Sequence, residues 1–247
     1  MASTELMISE KVLKLTSQEM VDVIYDTLEI VDEILHSAKI EYTLFGGTML
    51  GSRRHGGLIP WDDDGDIAIQ RNDEQKLLTL KETFADRGLI LGVEPLFGYR
   101  VWDPRRTVFQ VRHQLYVPFV DIFLIDTDVN QYVYITEEAK KMFPYEPLPF
   151  GCFQRLVDVP FGHLTLRGLN SDDTQRHLNE NYGSDWNQVA WRDYDHLTGE
   201  ILSKICVALD DPNLLRPALH SQHNDIKPSP SVLTMKSTDV HNDRSDS

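Results

Sequence analysis

The chain of 247 residues predicts an α+β fold in a single domain, a mixed β-sheet with helices packed on it. Three observations carry that reading. Apolar residues near the N-terminus recur at spacings of three and four, and several later segments are short apolar runs bounded by glycine or proline. The two patterns follow one another as helix, strand, short helix, strand, helix, strands. A hydrophobic fraction of 41% and a charged fraction of 26% are those of an ordinary globular protein.

From Thr16, the apolar positions Met20, Ile24, Leu28, Val31 and Leu35 fall on one helical face, and Thr16 with Glu19 has the spacing of a capping box. "EYTLFGG" is a short strand stopped by glycines, "TMLGSRRHGG" a helical turn and "DGDIAIQ" a second strand. "NDEQKLLTLKETFADRG" predicts a helix from Asn72 to a stop at Gly88. "LILGVEPL", "RTVFQVRHQ" and "PFVDIFLID" follow as strands, "PFGCFQRLVDVP" is strand-like, and "SDDTQRHLNENYG" is a helix begun at Ser171 and stopped by Gly183. Trp186 and Trp191 are expected to close the core. Residues 1–15 form an N-terminal arm and 16–207 the folded domain. Residues 208–247 turn polar and proline-punctuated, which predicts a disordered tail.

The net charge of −15 argues against a general nucleic-acid binder, which needs clustered Lys and Arg to replace counterions. With no signal-peptide pattern and no apolar stretch of membrane-spanning length, the chain is expected to be soluble and cytoplasmic. Cys152 and Cys206 are too few for a disulfide framework and lack the spacing of a zinc site, so both are read as reduced thiols.

The chemistry gathers in "LFGGTMLGSRRHGGLIPWDDDGDIAI", where Asp62, Asp63, Asp64 and Asp66 crowd five positions. A solvated acidic turn is the plain reading. An EF-hand loop starting at Asp62 fails at its sixth position, where Ile67 replaces glycine, and at its twelfth, where Asp73 replaces glutamate. In a strand, Asp64 and Asp66 project to one face while Ile67 and Ile69 turn to the other. Two carboxylates so placed repel, and a hard Mg²⁺ or Mn²⁺ removes the repulsion. Asp121, a lone carboxylate in the apolar "PFVDIFLID", is the candidate third ligand. Gly46, Gly47 and Thr48, between a strand and a short helix, offer N–H groups and a hydroxyl to phosphate, and Arg54 and His55 could supply positive charge to a diphosphate. A tight turn, and pairing of Arg54 and His55 with the neighbouring aspartates, are the plainer alternatives.

"GGTMLGSRRHGGLIPWDDDGDIAI" closely resembles the signature of the LicD family of phosphocholine transferases and fukutin-type ribitol phosphate transferases, which share a nucleotidyltransferase-like fold. "VDIFLID" resembles the family's third-carboxylate strand, and "PLPFGCFQRLVDVP" with "HLNENYG" its C-terminal portion, so the resemblance spans roughly residues 40–186. It implies that Gly47 and Thr48 belong to a phosphate-binding turn, that Asp64 and Asp66 are the metal pair, and that Asp121 is the third carboxylate. Gly65 departs from the family, which has a bulkier apolar residue there, and is expected to loosen the strand.

The implied reaction transfers a phospho-alcohol (phosphocholine, ribitol phosphate or glycerol phosphate) from a CDP-linked donor to a hydroxyl of a glycan or related acceptor, releasing CMP. Asp62 is the candidate base. A D-x-D nucleotide-sugar glycosyltransferase and a non-catalytic metal- or nucleotide-binding adaptor are the alternatives. Trp61, Tyr99, Trp102, Tyr116 and Phe123 are available for a choline cage.

Overall fold

The computed structural model describes residues 13–145, 147–198 and 200–223. Its opening helix α1 (Gln18–Ser37) buries Ile24, Leu28, Val31 and Leu35, the face its periodicity predicts. The cap lies one residue later than expected. Ser17 accepts from the Met20 amide, and the Thr16 hydroxyl instead donates to the backbone carbonyl of Asp62 at 2.6 Å, tying the helix start to the aspartate loop.

The central sheet is built from β1 (Tyr42–Leu44), β2 (Gly65–Gln70), β3 (Ile90–Glu94), β4 (Gly98–Trp102), β7 (Val120–Asp128) and β8 (Gln131–Tyr134). Its order is β1-β2-β7-β4-β3, with β8 pairing the later half of β7. Only β2 and β7 run parallel; the other pairings are antiparallel, so the sheet is mixed, as expected. Ile67 and Ile69 are fully buried on the face that α1 covers, and Gly65 lies there too, where a Cβ would meet Leu28 and Val120 at 3.3–3.5 Å. Gly65 does not loosen β2. Its amide donates to Phe119, and the pairing with β7 runs unbroken from Gly65 to Gln70, because the missing side chain is the space Leu28 fills.

A short helix α2 (Gly46–Arg54) joins β1 to the aspartate loop. The helix expected over residues 72–88 is broken into a 3₁₀ turn and two short helices, α3 (Glu74–Leu78) and α4 (Lys81–Asp86). "RTVFQVRHQ" forms only β5 (Val108–Gln110), which folds back on β6 (Leu115–Val117) as a separate hairpin. After α5 (Glu137–Met142), the first half of "PFGCFQRLVDVP" is a 3₁₀ turn at Cys152–Gln154, and the strand β9 (Val157–Phe161) pairs with β10 (Leu164–Gly168). Next comes α6 (Ser171–Tyr182), capped by Asn170 and ended at Gly183, then a hairpin of β11 (Val189–Asp195) and β12 (Glu200–Ala208).

Trp186 is buried as expected; the side chain of Trp191 lies outside the described residues. The expectation of a disordered tail is corrected for residues 209–223. Leu209, Leu214 and His220 are buried, Ala218 pairs with Leu58, and the Tyr25 hydroxyl donates to the Ala218 carbonyl. Two leucines and a row of backbone bonds suffice to hold a segment whose composition reads as polar. The rest of that tail, and residues 1–12 of the expected arm, lie outside the described residues. No helix among the described residues is long and apolar enough to cross a membrane.

Candidate metal centre

Strand register assembles the site. The parallel pairing of β2 with β7 places Asp66 directly beside Asp121, and the antiparallel pairing of β7 with β4 places Arg100 on the other side of Asp121. Registered neighbours share a face of the sheet, so the three charged side chains rise together. Asp64, two residues before Asp66, joins them on the same side. Carboxylate oxygens of Asp64, Asp66 and Asp121 lie within 4.8 Å of one another, and Asp64 and Asp121 are buried.

Burial, followed by mutual repulsion, pushes the Asp66 carboxyl well above its usual range, and burial pushes Asp121 up to about 7 despite its pairing with Arg100. Asp62 is also raised well above its range by burial and by Asp64 and Asp63, and its hydrogen bond with Asp64 adds to the rise. Such a set suits a hard divalent cation, with all-oxygen donors, excess negative charge and a spacing that bonds of about 2.1 Å can span after small side-chain shifts.

The glycine turn serves the carboxylates. The Gly47 amide donates to Asp66 Oδ2 at 3.2 Å, and the Thr48 hydroxyl accepts from the Asp66 amide at 2.7 Å. Gly46 has φ +48°, and a Cβ there would stand 2.6 Å from Asp66 Oδ2; a Cβ on Gly47 would stand 2.6 Å from Asp62 Oδ2. The left-handed backbone favours glycine at Gly46, while a side chain at Gly47 would require Asp62 to swing away from the helix start, where the N-terminal dipole favours negative charge. In this structure the turn expected to receive phosphate holds Asp66 through Gly47 and Thr48.

Arg54 and His55 are engaged with backbone carbonyls. Both are buried: Arg54 donates to the carbonyls of Trp186 and Val189 at 2.8 and 3.1 Å, and His55 Nε2 meets the Leu214 carbonyl at 3.1 Å. Burial and the adjacent Arg54 hold His55 well below its ordinary pKa. Arg54 anchors the foot of the β11–β12 hairpin, since the carbonyls it binds stand where that hairpin begins. The five aromatic residues do not form one cage. Trp61 packs on His55, Phe123 stacks on Phe97, the Tyr99 hydroxyl donates to Glu74, and Trp102 stacks on Tyr116.

Two cationic side chains at the centre lie outside the sequence reading. Arg100 grips Asp121 with two bonds, Nε to Oδ1 at 2.6 Å and a terminal nitrogen to Oδ2 at 2.9 Å, while its guanidinium lies 3.8 Å from the Phe119 ring centroid. A lone arginine in the apolar strand "GYRVW" is the same kind of signal that singled out Asp121. His196, in the turn of the β11–β12 hairpin, bonds Asp63 through Nδ1 at 2.6 Å and through its backbone amide at 3.0 Å. Burial alone would lower its pKa, but Asp64 and Asp63 overcome this and raise it to about 10. Nothing in "RDYDHLTGE" marks that histidine.

A model of the LicD/FKTN/FKRP nucleotidyltransferase domain family matches residues 39–167, more than half of the chain, and takes in β1, the aspartate loop and β7. The chain belongs to this family. Residues 39–167 include every sequence-derived site residue, whereas α6 and the hairpin carrying His196 lie beyond the match. Among curated proteins, the lipopolysaccharide cholinephosphotransferase LicD of Haemophilus influenzae is 30% identical over 48% of this chain and 47% of its own. An uncharacterised protein of Rickettsia prowazekii is 26% identical over 68% and 56%. The mouse ribitol 5-phosphate transferase FKRP is 28% identical over 56% of this chain and 31% of its own. The chain thus spans about a third to just over half of the length of these relatives.

Proposed function

We propose that this LicD-family chain is a metal-dependent phosphotransferase that moves a phospho-alcohol from a CDP-linked donor to an acceptor hydroxyl and releases CMP. The observation that carries the reading is the parallel register of β2 with β7, which sets Asp121 beside Asp66 and Asp64 on one face. The names of the Haemophilus and mouse relatives, a cholinephosphotransferase and a ribitol 5-phosphate transferase, support a substituted phosphate as the group transferred.

Asp64, Asp66 and Asp121 would hold Mg²⁺ or Mn²⁺, which when bound supplies Lewis-acid stabilisation of charge on the phosphoryl oxygens. Arg100 fixes Asp121 at both oxygens, so that this carboxylate keeps one orientation. Asp62, beside Gly47, is the candidate to take the proton of an acceptor hydroxyl, a role that requires a bound cation to offset the neighbouring carboxylates and release the proton of Asp62 first. Phe123, two residues after Asp121 on the same face of β7, packs with Phe45 and Phe97 into a buried apolar wall on the carboxylates' own side of the sheet.

The deciding experiment measures CMP release from CDP-choline, CDP-ribitol and CDP-glycerol with Mg²⁺ or Mn²⁺, across glycan, lipid and small-molecule acceptors. One donor should give metal-dependent release, and Asp66→Asn should slow it roughly 100-fold or more while the protein stays folded. Release by Asp66→Asn at the wild-type rate would remove this residue from the site.

A further inference from the structure

His196 stands over the metal centre in an arrangement that the carboxylates alone do not explain. Its Nδ1 and its backbone amide both grip Asp63, which fixes the ring and directs Nε2 at Asp64 Oδ2, 3.7 Å away. That gap is too long for a hydrogen bond and fits a bent bridge through a cation about 2.1 Å from each atom. A ligating histidine commonly gives its other ring nitrogen to a carboxylate, and Asp63 stands in that place. The ring edge rests on Phe119, whose ring also meets Arg100, so the imidazole is braced on its second side.

The hairpin bearing His196 is fixed at both ends. Arg54 holds its foot through the carbonyls of Trp186 and Val189, and the Gln110 side chain donates to the Thr198 carbonyl near its tip. Asp63, Asp64 and His196 form a group whose ligand atoms lie within 4.8 Å of one another, and it shares Asp64 with the three-carboxylate group.

We propose that His196 is a nitrogen ligand of the metal centre, binding through Nε2 beside Asp64, with Asp63 as the carboxylate that orients the ring. The inference rests on the metal-site reading above and adds a donor from outside the segment matched to the family. A nitrogen donor also changes which cation is preferred: three carboxylates suit Mg²⁺, whereas an added imidazole favours Mn²⁺, Co²⁺ or Zn²⁺.

The test is pulsed EPR of the full chain loaded with Mn²⁺, read for ¹⁴N coupling, alongside the visible spectrum of the Co²⁺ form. Wild type should show directly coordinated nitrogen. His196→Gln should lose that coupling yet still bind Mn²⁺, and its preference for Co²⁺ over Mg²⁺ should shrink at least 10-fold. Asp63→Asn should keep the coupling and bind Co²⁺ about 10-fold more weakly, as when an orienting partner is lost. Mn²⁺ bound by wild type without nitrogen coupling overturns the role of His196 alone. Failure of wild type to bind any of the cations overturns this inference and the metal-site reading together. The wild-type spectrum decides the matter even if a variant does not fold.

Discussion

Buried Asp121 and half-buried Arg100 form a pair with two hydrogen bonds, and the two residues are unequal in what their loss would do. Removing Arg100 leaves a buried carboxylate with its nearest cation gone and other carboxylates close by, so Arg100→Met should cost about 3–5 kcal/mol in urea unfolding without metal. Saturating Mn²⁺ should recover part of that loss, because the cation replaces the missing positive charge. The same crowding gives a pH signature. Asp121 is raised from 3.8 to about 7, and His196 from 6.5 to about 10. A group raised on folding contributes stability that is complete below its unfolded value and is lost as pH climbs through its folded value. The metal-free protein should therefore lose thermal stability in two overlapping windows, from about pH 4 to 7 and from about pH 6.5 to 10. Lowered carboxylates such as Asp103 and Asp173 act with the opposite sign, and only as pH falls below about 4. Thermal melts in chelator across pH 5 to 9, repeated with Mn²⁺, check this. A flat metal-free profile would contradict the electrostatics of the centre.

At the scale of elements, β2 depends on a missing side chain. Gly65→Val would push into Leu28 and Val120, costing about 1–3 kcal/mol. Leu28→Ala alone should cost about 2–5 kcal/mol. The double variant should cost less than the sum of the two, and a double-mutant cycle by urea unfolding reads the difference. The strands and helices that were legible in the sequence are those whose burial is one-sided and sustained, such as α1, β2 and β7. The three metal-candidate aspartates were legible because carboxylates in apolar strands are costly without a partner. For Arg54 and His55 the sequence shows nearness to the aspartates in the chain but not the distant carbonyls that both side chains bind. The sequence of α2 does not show that its last turn faces inward, toward the foot of a hairpin more than 130 residues away. His196 was missed for the same reason, since its only distinction is what it meets.

Across the whole molecule, the polar segment after β12 acts as a structural strap. Truncation after Ala208 removes the buried Leu209 and Leu214, each contributing about 1.5–3 kcal/mol. It also strips the carbonyl partners from His55 and Tyr25. Such a truncated chain should melt well below the full one, and an unchanged melting temperature would show that residues 209–223 do not brace the domain. The strap reaches the loop that carries the acids: Ala218 pairs with Leu58 on one side of that loop, while Thr16 and its backbone hold Asp62 and Pro60 on the other. This double tether bears on the order of events during synthesis. A ribosome-bound chain displaying everything up to residue 190 already contains Asp64, Asp66 and Asp121, yet the clasp from the far end has not emerged. On the proposed metal reading, cation binding should therefore appear only once residue 218 clears the exit tunnel, and the Mn²⁺ affinity of stalled nascent chains of increasing length checks this.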